Sequence, residues 1–119
     1  MILLVEDDED VRDMIQLTLE THGCIVELAG NGRQALAAIE RARPCLVILD
    51  LVMPVMNGWA VLAEMKARQL DSIPVCVITA LGGEAPPEAV GALCKPFETG
   101  QLLVMADRYC AHGARRGAR

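Results

Sequence analysis

Aromatic residues are nearly absent from this sequence: its 119 residues include one Trp, one Tyr and one Phe. A folded core would therefore have to be built from Leu, Val, Ile, Ala and Met. Hydrophobic residues still make up 53% of the chain, which excludes the composition typical of a disordered protein. The length fits one domain, large enough to bury a core without disulfides or a structural metal.

Long hydrophobic runs and metal-binding cysteine motifs are also missing. The opening Met-Ile-Leu-Leu-Val is too short for the apolar region of a signal peptide, and Asp50 interrupts the longest apolar run before it reaches membrane-spanning length. The five cysteines include no Cys-x-x-Cys pair, so no zinc site is indicated. Cys45, Cys76 and Cys94 lie in apolar runs, and we interpret them as small buried hydrophobic residues of a reducing compartment. We therefore expect a cytoplasmic protein that does not enter a membrane.

Positive charge is scarce, because 11 Lys and Arg stand against 16 Asp and Glu and give a net charge of -5. This balance argues against direct binding of nucleic acid. The basic cluster formed by Arg115, Arg116 and Arg119 is interpreted as a solvated terminus. We expect a domain over residues 1–112 and a basic tail over residues 113–119.

Short apolar runs alternate with amphipathic helical patterns along the chain. The runs are rich in Val, Ile and Leu and almost continuous, which is typical of parallel strands that are covered on both faces. They occupy residues 2–5, 25–29, 45–49, 75–79 and 92–94. Helices are predicted from about residue 10 to 21, from 31 to before 44, from 58 onward and from 98 onward. This alternation predicts an α/β fold with a doubly wound parallel sheet.

The fourth crossover differs from the others, because it contains Gly82, Gly83, Pro86 and Pro87. Glycine and proline disfavour a helix interior, so at most one turn near residues 88–91 is expected to be helical. The sequence therefore predicts that the helix between the fourth and fifth strands is shortened or lost.

Polar residues follow the apolar runs at their carboxyl ends. Glu6 and Asp7 follow the first run, Asp50 the third and Lys95 the fifth, while Thr79 ends the fourth. In a parallel sheet these ends share one edge, where α/β folds place their ligands. Two carboxylates about 4 Å apart repel by roughly 4 kcal/mol at an effective dielectric constant near 20, and a hard divalent cation would offset this repulsion. Acids, a lysine and a hydroxyl suit phosphoryl transfer, in which positioning and charge neutralisation dominate.

Five short motifs give the chain a resemblance to a known family. They are Leu-Leu-Val-Glu-Asp-Asp near the start, Leu-Asp-Leu-Val-Met-Pro around Asp50, Met-Asn-Gly at 56–58, Ile-Thr-Ala at 78–80 and Lys-Pro-Phe at 95–97. Each motif alone is weak, but together and in this order the chain resembles a chemotaxis-regulator-like receiver domain of a response regulator in bacterial two-component systems. The resemblance implies a flavodoxin-like sheet of five parallel strands in the order 2-1-3-4-5.

The resemblance also implies a role for individual residues. Asp50 would be the phosphoacceptor, attacking a phosphohistidine or a small acyl phosphate. A magnesium ion, with manganese as an alternative, would be held by Glu6, Asp7, Asp50 and the backbone carbonyl of Val52. The phosphoryl group would contact Thr79, Ala80 and Lys95, and Pro96 would match a cis proline that aims the lysine inward. The family's conformational switch would fall on Leu81, Gly82, Gly83 and Ala92.

Two departures from the family concern this switch. The segment from Thr79 to Lys95 is shorter than usual, and Ala92 stands where the family often has an aromatic residue. The usual coupling between the threonine and an aromatic side chain therefore cannot operate in its standard form.

The resemblance implies a signalling module rather than an enzyme. Its partners would be a histidine kinase or phosphotransfer protein and an unidentified downstream protein, with homodimerisation left open. The alternative is a degenerate receiver that acts as a phosphorylation-independent interaction or dimerisation module, which the altered fourth crossover favours. A phosphatase with an aspartyl-phosphate intermediate is disfavoured, because Val52 stands where such enzymes place a second Asp.

Overall fold

The computed structural model describes residues 1–80 and 85–110. Five strands and four helices form one α/β unit. The strands are β1 (Ile2–Val5), β2 (Val26–Ala29), β3 (Leu46–Asp50), β4 (Val75–Thr79) and β5 (Gly91–Cys94). The helices are α1 (Glu9–Thr21), α2 (Gly32–Ala42), α3 (Gly58–Ala67) and α4 (Thr99–Tyr109).

The strands form a parallel sheet in the order β2-β1-β3-β4-β5, so the predicted flavodoxin-like fold is confirmed. Residues 85–90, the described part of the fourth crossover, contain no helix, in agreement with the prediction from its glycines and prolines. Leu81, Gly82 and Gly83 of the predicted switch region lie outside the described residues, as does the predicted basic tail.

Side chains of the central strands alternate between two apolar layers, because successive residues of a strand point to opposite faces. One layer packs with α2 and α3 and includes Leu3, Val47 and Val77. The other packs with α1 and α4 and includes Leu4 and Ile48, among others. Every residue of β1, β3 and β4 is buried, which explains their continuous apolar sequences.

Local sequence signals set the helix ends. The Asp8 carboxylate accepts hydrogen bonds from the backbone N–H groups of Asp10 and Val11 and so caps α1. Asn31 and Asn57 cap α2 and α3 in the same way. After α1, Gly23 has a φ of 94°, a conformation that glycine adopts without strain.

The cysteines depart from their predicted state. Cys45, just before β3, forms a disulfide with Cys110, just after α4, and their Cα atoms are 5.4 Å apart. Cys76 is buried as predicted, but Cys94 is exposed. The interpretation of Cys45 as an unpaired thiol and of Cys94 as a buried one was therefore wrong. Sequence spacing could not reveal a pair that only the packing of α4 brings together.

None of the helices in residues 1–80 and 85–110 combines the length and the apolar character needed to cross a membrane.

Candidate functional site

Three carboxylates meet at the carboxyl edge of the sheet. Asp50 is the last residue of β3, and Glu6 directly follows β1, whose Val5 is aligned with Leu49 of β3. One oxygen from each of Glu6, Asp7 and Asp50 lies within 4.8 Å of the others. Glu6 is fully buried and Asp50 is 4% exposed, whereas Asp7 is exposed. The predicted convergence of these three acids is confirmed.

Lys95 brings the positive charge to this cluster from the edge of the sheet. Its backbone N–H donates to the Thr79 carbonyl at 2.7 Å, which aligns the end of β5 with the end of β4. Its Nζ lies 2.9 Å from Glu6 Oε1 and 3.5 Å from Asp50 Oδ2. The bond between Lys95 and Pro96 is cis, as the resemblance implied.

The electrostatics of Glu6 reflect its burial. Burial and the neighbouring Asp50 carboxylate raise the pKa of Glu6 to about 7, although the hydrogen bond with Lys95 opposes this rise. Burial alone would lower the pKa of Lys95, but the hydrogen bond and charge of Glu6, together with Asp50, raise it. The ammonium therefore remains positive beside acids that crowd one another.

The donor set fits a hard divalent cation. The three acids supply only oxygen ligands, which magnesium and manganese prefer over the sulfur and nitrogen ligands typical of zinc. Glu6 Oε1 is buried, and the Lys95 ammonium lies 2.9 Å from it. A buried carboxylate oxygen in this state has lone pairs available to a cation. The residues present could thus hold the metal that the sequence predicted.

The loop after β3 holds Asp50 in place. The Val52 backbone N–H donates to Asp50 Oδ1 at 3.1 Å, and the Gly58 N–H donates to the Leu51 carbonyl at 2.9 Å. A Cβ atom at Gly58 would lie 2.7 Å from Leu51 Cα and 2.8 Å from the Asp50 carbonyl oxygen, so only glycine allows this close approach. Gly58 was predicted only as part of a motif, and this packing role was missed. Its signal was a glycine that opens a helix directly after an Asn cap.

Two further predicted residues line a cleft of about 300 Å³. They are Ala80 and Val52, which line it with the three acids, Asp8 and Lys95. Thr79 ends β4 and is 6% exposed. Ala92 is exposed on β5. A larger groove of about 450 Å³ between α2 and α3 has charged residues in its lining, but Arg68 there pairs with Glu40 and Glu64, as exposed helix residues often do.

Comparison with known proteins identifies a protein family that this chain matches. The family model described as the response regulator receiver domain matches residues 2–107. The chain is 33% identical over 116 residues to an uncharacterised 14.6 kDa protein of Leptolyngbya boryana, covering 92% of this chain and 88% of that protein. It is 38% identical over 108 residues to the response regulator MprA of Mycolicibacterium vanbaalenii, covering 86% of this chain but 46% of MprA. The chain thus spans about half the length of this relative.

Solved structures are similar over almost the whole chain. Chemotaxis protein CheY4 of Vibrio cholerae is 35% identical with a TM-score of 0.76, and the match covers 91% of this chain and 96% of that one. The receiver domain of the sensor histidine kinase PA1611 from Pseudomonas aeruginosa is 28% identical with a TM-score of 0.83, covering 93% and 97%. That structure contains a magnesium ion coordinated in the active site cleft.

Proposed function

Because this chain belongs to the response regulator receiver domain family, a family of signalling modules rather than enzymes, we propose that it accepts a phosphoryl group on Asp50 in a magnesium-dependent reaction. The donor is a histidine kinase or a phosphotransfer protein, and the modification changes binding to a downstream protein. The observation that carries the proposal is the meeting of three carboxylate oxygens within 4.8 Å, with the Lys95 ammonium 3.5 Å from Asp50.

Asp50 acts as the nucleophile. One carboxylate oxygen forms a bond to phosphorus, while the bond from phosphorus to the donor nitrogen, or to the oxygen of an acyl phosphate, breaks and its electron pair leaves with the donor. Oδ1 accepts from the Val52 N–H, and Oδ2 faces Lys95. These contacts restrict rotation of the carboxylate and present it to the cleft in a defined orientation.

Glu6, Asp7, Asp50 and the Val52 carbonyl would hold a magnesium ion, with manganese as a substitute. A bound ion would supply positive charge that offsets the negative charge of the acids and of the incoming phosphoryl oxygens. Lys95 contributes a fixed positive charge to the same oxygens, and Pro96 directs it inward. Thr79 contacts a phosphoryl oxygen from the end of β4, and Ala80 keeps the adjacent approach open because its side chain is small.

The response to phosphorylation takes an unusual route in this proposal. Ala92 is too small to act as the aromatic partner of Thr79, and it is exposed on β5. The switch therefore acts through the segment that begins with Leu81, Gly82 and Gly83, together with Ala92. We place the protein in the cytoplasm, where its phosphoryl donors act, with no membrane or direct nucleic-acid partner and with homodimerisation left open.

The test is intact mass after incubation with acetyl phosphate and magnesium. We expect one phosphoryl adduct that requires the metal and disappears in Asp50→Ala. Asp13→Ala, which removes an exposed acid of α1, is the matched control and should keep the adduct. A folded wild-type protein without an adduct, or an adduct that persists in Asp50→Ala, would contradict the proposal.

A second function has one observation in its favour. Residues 85–90 contain no helix, so the described part of the fourth crossover lacks an element through which phosphorylation could be relayed. A degenerate receiver that binds its partner or a second copy constitutively would need no such relay. A wild-type protein that binds magnesium but forms no adduct would favour this alternative.

A further inference from the structure

The disulfide between Cys45 and Cys110 is not used by the proposed phosphoryl chemistry. Their Cα atoms are 5.4 Å apart, well within the range that a disulfide bridges without backbone movement. We propose that this pair is a reversible redox linkage that controls how firmly the C-terminal helix α4 is held on the domain.

The pair lies at the end of the sheet opposite the acids. Cys45 precedes β3 and Asp50 ends it, so the five-residue strand separates them by about 16 Å. Helix α4 covers a similar length, about 16 Å, between the segment after Lys95 and Cys110. Thus β3 and the segment from Lys95 through α4 are connected at both ends. Lys95 and Asp50 form an ion pair at one end, and Cys45 and Cys110 form the disulfide at the other.

Besides the disulfide, the end of α4 is held by the buried Ala106 and by the partly buried Met105 and Tyr109, which pack against the apolar layer. Leu102 and Ala106 are the buried residues of the helix, while Val104 is 58% exposed. Near the C-terminal end, His22 contacts Asp107 at 3.0 Å, but both side chains are substantially exposed. An exposed pair of this kind adds little stability. Breaking the disulfide should therefore loosen the end of α4 more than any other described helix.

Reversibility requires that a small thiol reach one sulfur of the bond. Cys110 is 1% exposed and Cys45 is partly buried, so we expect attack at the Cys45 sulfur. Cys76 offers a contrast, since burial raises the pKa of its thiol to about 11 and keeps it protonated and unreactive. The two extensive apolar layers hold the sheet together in either redox state, so reduction does not unfold the domain.

The reaction is a thiol–disulfide exchange with a low-molecular-weight disulfide. The Cys45 thiolate attacks one sulfur of the small disulfide and releases one small thiol. The Cys110 thiolate then attacks the Cys45 sulfur of the mixed disulfide and releases the second thiol. Two protein thiols are oxidised, one small disulfide is reduced to two thiols, and excess small thiol reverses both steps. Disulfides that occur in a reducing compartment are usually of this transient or redox-sensing kind.

The test equilibrates the folded protein in mixtures of reduced and oxidised glutathione. After acid quenching, cysteines are alkylated under denaturing conditions and counted by intact mass. We expect two alkylation sites to disappear together in one reversible transition as the oxidised fraction rises. The transition should be absent in Cys45→Ser and Cys110→Ser, and it should persist in Cys94→Ser, which removes an exposed thiol at the other end of the sheet.

Hydrogen exchange then compares the oxidised and reduced wild-type protein, which avoids any variant that fails to fold. We expect residues 105–110 to lose protection on reduction while β1 and β3 keep theirs, and the melting temperature to fall by on the order of 10 °C. A pair that never forms, a pair that glutathione cannot reduce, or equal protection of α4 in both states would each overturn the proposal. None of these readouts depends on phosphorylation of Asp50.

Discussion

Strands β3 and β5 run in the same direction and both lead to the acidic site, but their surroundings differ. All five residues of β3 are buried, and β1 and β4 flank it on both sides. In β5 only Leu93 is buried, and β4 is its one neighbour in the sheet. Glu6 and Asp50 therefore lie at the ends of fully buried strands. Lys95 instead follows β5, an edge strand with one buried residue.

This difference in burial between β3 and β5 corresponds to two different requirements of the site. In the proposed reaction, the spacing of Glu6 and Asp50 would have to be fixed, because a cation accepts only a narrow range of ligand distances. The lysine would instead have to follow an oxygen whose position changes when a phosphoryl group is added. A long, flexible side chain on an edge strand suits that second requirement.

Matched leucine truncations test the contrast most directly. Leu4 of β1 and Leu93 of β5 lie in the same apolar layer, fully buried and 8% exposed respectively. We expect Leu4→Ala to lower the free energy of unfolding by about 4 kcal/mol and Leu93→Ala by about 2 kcal/mol, because the edge can relax around the lost volume. Urea denaturation measures both values. Equal losses would mean that β5 is as constrained as the centre.

Removal of the Lys95 charge should have the next largest effect. Lys95→Met leaves the Glu6 carboxylate buried without its cation, and we expect a loss of about 3 kcal/mol at pH 8 in metal-free buffer. With its folded-state pKa raised to about 7, Glu6 favours folding fully below its ordinary pKa near 4.5 and loses that contribution as pH rises through 7.

Without the ammonium the pKa of Glu6 should rise further, so the variant should lose more stability than the wild type between pH 5 and pH 8. At pH 5 Glu6 keeps its proton in both folded proteins, and the difference should shrink by about half or more. Lys66→Met, at an exposed position of α3, is the control and should change stability little at either pH. If Lys95→Met lowers the free energy of unfolding equally at both pH values, the loss is caused by packing and not by charge.

The smallest effect is expected at the exposed surface of β5. Ala92 is aligned with the fully buried Val77 of β4 but is itself exposed. Ala92→Thr should change the free energy of unfolding by less than about 0.5 kcal/mol. The same substitution at Ala29, a buried residue of β2, should cost about 1–3 kcal/mol through overpacking. A large loss at Ala92 in thermal or urea unfolding would show that this surface is covered in solution.

The sequence was informative where chain direction alone decides the outcome. In a parallel sheet, residues after the strands must share one edge, so Glu6, Asp7, Asp50 and Lys95 could be grouped before any coordinates were known. The lack of a helix in residues 85–90 followed from the glycines and prolines of the fourth crossover. Neither inference depends on the details of side-chain packing.

Packing decided what the sequence could not predict. The Cys45–Cys110 bond depends on how α4 lies across the sheet, and 65 residues separate the two cysteines. The strong ion pair of Lys95 with Glu6, at 2.9 Å and shorter than its contact with Asp50, depends on the side-chain conformation of the lysine.

The position of strand β3 between two functional groups limits how this sequence can diverge. The first four residues of the strand separate Cys45, whose sulfur is bonded to Cys110, from the Asp50 carboxylate of the acidic site. An aliphatic side chain within the strand can be exchanged for another of similar volume. An inserted or deleted residue would instead turn the following side chains to the opposite face and displace one of the two groups. We therefore expect the aliphatic residues of β3 to tolerate exchange for others of similar volume, whereas its length and Asp50 should not change.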